Sequence, residues 1–114
     1  MNKRAIGIKG EDEAQKYLKK QGYGVVAKNV KIAGVEVDLI VKQGNLLVFV
    51  EVKSRETATF GRGVEAVDKR RQKRYIRAAK AFTAIPTYAQ FDVRFDVIEV
   101  LGDTVLHLED AYRG

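Results

Sequence analysis

The chain has no cysteine, no tryptophan, one proline, one histidine and one methionine among its 114 residues. Without cysteine there is no disulfide, no thiol catalysis, no iron–sulfur cluster and no cysteine-built zinc site. With His107 as the lone histidine, a metal site built from several histidines is excluded too. Long hydrophobic runs are also missing. The longest strictly apolar stretch is Leu46 to Val50, against the roughly 20 residues a membrane helix needs. After the basic start Met1 to Arg4 only Ile6 and Ile8 stand out, so no signal-peptide core is expected. A cytoplasmic protein is expected, with no membrane partner and no organic cofactor. What is present, 46% hydrophobic residues, fits an ordered globular chain. At this length, residues 1–114 are expected to form one domain.

Charge is unevenly spread. The formal net charge is +6, and residues 69–80, KRRQKRYIRAAK, hold seven basic side chains and no acid. Outside that segment fourteen basic residues stand against fifteen acids. The basicity is one patch on a nearly neutral body, the footprint of a polyanion binder. A solvated helix face produces the same run, so charge alone does not decide.

Periodicity gives the order of elements. Residues 7–21 read as a helix ended by Gly22, with Ala14 and Leu18 on one face and Glu11 extending that face by a turn. Taken alone, Glu11 reads as a first-turn acid favoured by the helix dipole, with Asp12 and Glu13. A strand is expected at 23–29. Residues 35–42 alternate, which puts Val35, Val37, Leu39 and Val41 on one face and Glu36, Asp38, Ile40 and Lys42 on the other. Residues 46–53 form a strongly β-prone run, and Gly44-Asn45 suits a two-residue hairpin. A loop over 54–63 carries Arg55, Gly61, Arg62 and Gly63. A second helix is expected at 64–84, a strand at 91–100, a turn at Gly102-Asp103 and a last strand at 104–109. Helix, three strands, helix, two strands implies an α/β fold, a small mixed sheet flanked by two helices. The second helix then carries a crossover to a parallel strand, right-handed by default.

The hairpin register points to chemistry. With Gln43 opposite Leu46, Asp38 falls opposite Glu51, and Glu36 opposite Lys53. Direct cross-strand neighbours have Cβ atoms about 4.5–5.5 Å apart. Two carboxylates at that distance repel unless a cation lies between them, and hard oxygen donors suit Mg²⁺ or Mn²⁺. The same residues can equally form a surface ladder in which Lys53 neutralises Glu36 and Glu51, each pair worth about 0.2–1 kcal/mol. The apolar run Val48 to Val52 implies a central strand covered on both faces. Charges near its end are then partly desolvated and need a partner or an ion.

Asp38, a twelve-residue gap, then Glu51-Val52-Lys53 resembles the PD-(D/E)XK nuclease superfamily and its restriction-endonuclease-like fold. More closely, the chain is similar to the YraN family, bacterial proteins akin to archaeal Holliday-junction resolvases. The likeness rests on Gly10-Glu11 with Ala14 and Leu18, Gly22-Tyr23, Asn29, Glu36 to Ile40, Val48 to Lys53 with Arg55, Gly61, Arg94 to Val97, and Ala111. Two positions depart from the family pattern: Val35 where glycine is usual, and Arg71 where lysine is usual.

The resemblance implies a catalytic set of Glu11, Asp38, Glu51 and Lys53. Asp38, Glu51 and the backbone carbonyl of Val52 would hold Mg²⁺ or Mn²⁺, with Glu11 near enough to assist. Such a metal polarises the scissile phosphate and makes a water nucleophilic, while Lys53 orients that water or stabilises developing charge. DNA, with branched DNA as the expected shape, is then the partner of Arg55, Arg62, Lys69, Arg70, Arg71, Lys73, Arg74, Arg77 and Lys80, which would hold phosphates without reading sequence. A symmetric cut would call for a homodimer, for which strand 104–109 offers an edge. His107 on that strand is expected to be a packing or surface residue. Two other classes fit the same composition: a nucleic-acid-binding module that does not cleave, and an adaptor whose basic helix meets an acidic protein.

Overall fold

The computed structural model describes residues 3–55 and 69–114, with side chains described over 10–54 and 69–114. Helix α1 (Lys3–Lys20) leads into strands β1 (Gly24–Ile32), β2 (Val35–Gln43) and β3 (Leu46–Arg55). Helix α2 (Lys69–Thr83), a short 3-10 turn (Pro86–Tyr88), β4 (Asp92–Leu101) and β5 (Thr104–Tyr112) follow. The fold is α/β in the expected order, helix, three strands, helix, two strands. Of the expected second helix, residues 64–68 lie outside the described residues, as does Arg62.

The five strands form one sheet in sequential order, β1-β2-β3-β4-β5. The β3–β4 pair is parallel and the other neighbours are antiparallel. Turn chemistry explains the hairpins. Gly44 and Gly102 each have positive φ at the first position of a two-residue turn, where glycine carries no Cβ penalty. The β1–β2 turn uses Ala33 and Gly34, both at positive φ, and it extends β1 three residues beyond the expected end.

Each face of the sheet carries one helix. On one side Ala14 and Leu18 of α1 pack with Tyr23, Leu39, Val41, Val48, Val50, Ile98 and Val100. On the other, Tyr75, Ala78 and Ala79 of α2 pack with Val35, Val37, Ile40, Leu47, Phe49 and Phe95. The middle of β3, Leu47 to Glu51, is buried throughout, as a strand covered on both faces must be.

Two sequence expectations change. Strict alternation puts Val35, Val37, Leu39 and Val41 on one face, yet Val35 and Val37 pack toward α2, and Leu39 and Val41 toward α1. The switch falls at Asp38. The β2–β3 ladder follows the expected register from Gln43–Leu46 to Leu39–Val50 and ends one pair short of Asp38 and Glu51. Neither of the expected cross-strand pairs, Asp38 with Glu51 or Glu36 with Lys53, is in it. The backbone explains why: the Asp38 N–H donates to the Tyr75 hydroxyl at 3.2 Å, and Val52 N–H donates to Asp38 Oδ2 at 2.8 Å. A side chain has taken the place of a ladder bond. Glu36 instead pairs with Lys31 of β1.

Candidate carboxylate centre

The site forms where β2 leaves β3. Glu51 is 2% exposed, the last member of the buried run on β3. Its Oε1 accepts a hydrogen bond from Arg71 of α2 at 3.1 Å and lies 3.6 Å from Lys53 Nζ. Its Oε2 has no hydrogen-bond partner, one of two such buried side-chain atoms among the described residues. The other is the hydroxyl of Tyr112. Burial first, then the nearby Glu51 charge, pushes that phenol up. A buried polar atom left unsatisfied costs about 1–3 kcal/mol, and here two such atoms share one electrostatic neighbourhood.

Asp38 is the second carboxylate. Burial pushes its carboxyl up to about 6, against the bond from Val52 N–H, and Glu11 and Glu51 add to the rise while Arg71 opposes it. Acids on two elements therefore act on Asp38, and nearby carboxylates disfavour its charged form.

Glu11 acts on this neighbourhood from α1, which begins earlier than periodicity suggested. With Lys3 as its first residue, the helix places Glu11 in its third turn, beyond the reach of the dipole at its start. Asn29, at positive φ on β1, donates to Glu11 Oε2 at 3.1 Å. Gly10 lets the helix approach: a Cβ there would collide with the Ser54 side chain on β3. Glycine is needed at that contact for close approach, the use its missing Cβ allows.

The sequence-derived set is thus brought together in part. Asp38, Glu51, Lys53 and Glu11 converge at one end of the sheet. They do not form a ligand cage, since no three His, Asp or Glu side chains are grouped closely enough to hold a metal among the described residues. Arg71, expected only as a DNA contact, is also the ion-pair partner of Glu51. Lys69, Arg70, Lys73, Arg74, Arg77 and Lys80 are all exposed along α2, whose opposite face buries Tyr75, Ala78 and Ala79. Arg55 ends β3, and its side chain lies outside the described residues, like Arg62.

Several residues of the site escaped sequence reading. Tyr75 sits in the basic run and signals nothing by spacing, yet it caps the Asp38 backbone. Glu99, fully buried on β4, stands beside Lys53 in the parallel register; a glutamate in an apolar strand was the available signal. Tyr112 is delivered by a bulge. Pairing jumps from Val97–Leu108 to Phe95–Tyr112, and Tyr112 stacks on Phe95 with centroids 5.0 Å apart.

A separate polar network lies on the α1 side of the sheet. Asp96 is 1% exposed and accepts two bonds from Arg94 at 2.8 Å and the Asp110 N–H at 3.0 Å. His107 Nε2 lies 2.7 Å from it. His107 in turn meets the Tyr17 hydroxyl at 3.0 Å, and Arg94 donates to Tyr23 at 2.7 Å. Burial alone would raise the Asp96 carboxyl, but these donors outweigh it and hold it below the usual range. His107 is a packed connector, with a side chain 5% exposed.

Comparison with known proteins fits this layout. The model of Uncharacterised protein family UPF0102 matches residues 10–100, a span containing every member of the carboxylate centre except Tyr112. A UPF0102 protein of Caldanaerobacter subterraneus subsp. tengcongensis is 42% identical over 100 residues, 88% of this chain and 82% of the relative. One of Chloroherpeton thalassium is 37% identical over 121 residues, 96% and 94% of the two chains. One of Sulfurihydrogenibium sp. is 38% identical over 112 residues, 98% and 97%. The chain belongs to the UPF0102 family, the YraN family that its motifs resemble.

Proposed function

We propose that the chain is a metal-dependent nuclease that hydrolyses DNA phosphodiester bonds and selects branched or flapped DNA by shape. The observation that carries this reading is the buried, partnerless Oε2 of Glu51 beside an Asp38 whose carboxyl is pushed up to about 6. Together they make a dry, negatively biased site short of a cation, and perturbed carboxylates of this kind gather at functional sites. Asp38, Glu51 and the Val52 carbonyl would hold Mg²⁺ or Mn²⁺, which supplies Lewis-acid polarisation and an activated water. Lys53, 16% exposed and already beside Glu51, stabilises charge developing on the phosphate. Tyr112 offers its unpaired hydroxyl to the same space. Glu11 is held toward the centre by Asn29 and completes the acid set. The exposed cations of α2 hold the DNA backbone.

A specific observation also favours a non-cleaving module: Glu51 Oε1 already meets two cations, Arg71 and Lys53, and no three acids are grouped for a metal among the described residues. One experiment separates the readings. Purified protein is incubated with duplex, single-stranded, flapped and four-way DNAs, with Mg²⁺, Mn²⁺ or chelator. Cleavage is expected only with metal, strongest on branched DNA, and lost in Glu51→Gln with DNA affinity retained. Salt-sensitive binding without cleavage would establish the non-cleaving module, and no DNA binding at all would leave the adaptor.

The described helices include none long and apolar enough to cross a membrane, and we place the activity in the cytoplasm. A symmetric cut needs two chains, for which β5, a sheet edge exposing Leu106 and Leu108, is the surface we assign.

A further inference from the structure

Beside the carboxylates lies a second concentration of charge. Lys31 of β1, Glu36 of β2, and Arg71, Arg74 and Arg77 of α2 line a cleft of about 410 Å³, with Gly34, Val35 and Tyr75. The helix explains part of this convergence, because residues three apart are neighbours on its surface. The β1–β2 hairpin supplies the rest. Its tight Ala33-Gly34 turn allows Lys31 and Glu36 to stand paired at the mouth.

Four cations share this concavity with one carboxylate, Arg71 being held besides by Glu51, and an anionic ligand offsets the repulsion that remains. Guanidinium forks match phosphate oxygens two at a time, which a lone lysine does not. Position narrows the ligand further. Arg71 lines this cleft and also bonds Glu51 at 3.1 Å, so whatever sits in the cleft adjoins the carboxylate centre. A ligand that is anionic at repeated intervals and reaches both places is a phosphodiester chain.

We propose that this cleft is a phosphate site for the nucleic-acid strand, holding a backbone phosphate next to the one at Asp38 and Glu51, with Arg71 divided between Glu51 and that phosphate. The inference rests on the nuclease reading for its substrate, and it adds Lys31 and Glu36 to the binding surface. It also couples the two sites. With a divalent cation bound, Glu51 would hold Arg71 less tightly, and the guanidinium would be freer to turn toward the phosphate. Binding of cation and strand therefore favour each other, and such coupling is reciprocal.

The test measures DNA affinity across a salt titration in chelator, and Mn²⁺ affinity by calorimetry without DNA. Lys31→Gln should reduce the salt slope by about 0.7–0.9 and leave Mn²⁺ affinity unchanged. Glu36→Gln should strengthen DNA binding several-fold. Arg71→Gln should weaken DNA binding yet tighten Mn²⁺ binding, because a competing cation leaves Glu51; a merely structural arginine would not move the two in opposite directions. If DNA binds but the Lys31→Gln slope equals wild type, the cleft is not a phosphate site, and the nuclease reading is judged separately by metal-dependent cleavage. Absence of DNA binding by the wild-type protein overturns both. Displacement of DNA by polyglutamate in a Lys31-dependent manner would overturn the phosphate chemistry in favour of an acidic protein.

Discussion

Asp38 interrupts the β2–β3 ladder, and burial perturbs its carboxyl. Its proton is held more tightly in the folded chain, up to about 6 against an ordinary value of 3.8. Between those values the folded state binds a proton that the unfolded state has released, so stability must fall as pH rises from about 4 to about 6. The loss is at most about 3 kcal/mol, from 1.36 kcal/mol per unit. Asp38→Asn keeps an acceptor for the Val52 N–H and removes the charge. We expect urea melts in chelator to show wild-type stability falling across that window, and Asp38→Asn to lack the fall and exceed wild type at pH 7. Mn²⁺ at about 100 times its Kd should restore about 2.7 kcal/mol to wild type and nothing to the variant. A variant less stable than wild type at pH 7 in chelator would make Asp38 a structural acid.

At the scale of elements, the position of α1 matters because it carries Glu11. Two devices hold it: the Gly10–Ser54 approach to β3 and the chain from Tyr17 through His107 to Asp96. Asp96→Ala would strand Arg94 and His107 around a cavity, and breaking a buried pair in this way costs about 3–5 kcal/mol. Chemical denaturation at pH 7 should show that loss. Because the Asp96 carboxyl is held below its ordinary range, its contribution is present at neutral pH and disappears as pH drops through the carboxylate range, so the two proteins should converge in acid. Equal stability at pH 7 would mean the network only fills space. None of this network was readable in the sequence beyond the presence of Arg94-Phe95-Asp96, since its partners come from three elements and the α1–β1 connection, up to 90 residues apart. Element order, the turns at Gly44-Asn45 and Gly102-Asp103 and the central place of β3 were readable, because local periodicity and glycine turn chemistry fix them. The change of face at Asp38 was not. It arises from a tyrosine on a distant helix replacing a ladder partner, which no local alternation records. The same holds for Tyr112, whose delivery depends on a bulge with Asp110 at positive φ.

The whole molecule is electrostatically two-sided, and that asymmetry gives its most global prediction. All seven cations of residues 69–80 are exposed on α2, while the rest of the chain is close to neutral. The helix is anchored from beneath by Tyr75, Ala78 and Ala79, so its outer face can be altered without touching the core. Changing Lys73, Arg74 and Arg77 together to Gln keeps helix propensity and removes three phosphate contacts. The slope of log affinity for DNA against log salt should then flatten by about two units, with all sequences weakened alike. Melting temperature should stay near wild type, since exposed charges far from a partner contribute little. Mn²⁺ binding at Asp38 and Glu51 should also change little, because the α2 cation whose charge acts on Asp38 is Arg71, which the triple change keeps. Arg71 is left in place for that reason, being the one member of the run bonded to Glu51 at 3.1 Å. A slope equal to wild type would reduce the run to a solvated helix face and move any bound DNA to another surface. Loss of Mn²⁺ affinity with the slope unchanged would mean instead that the α2 cations serve the carboxylates and not a strand.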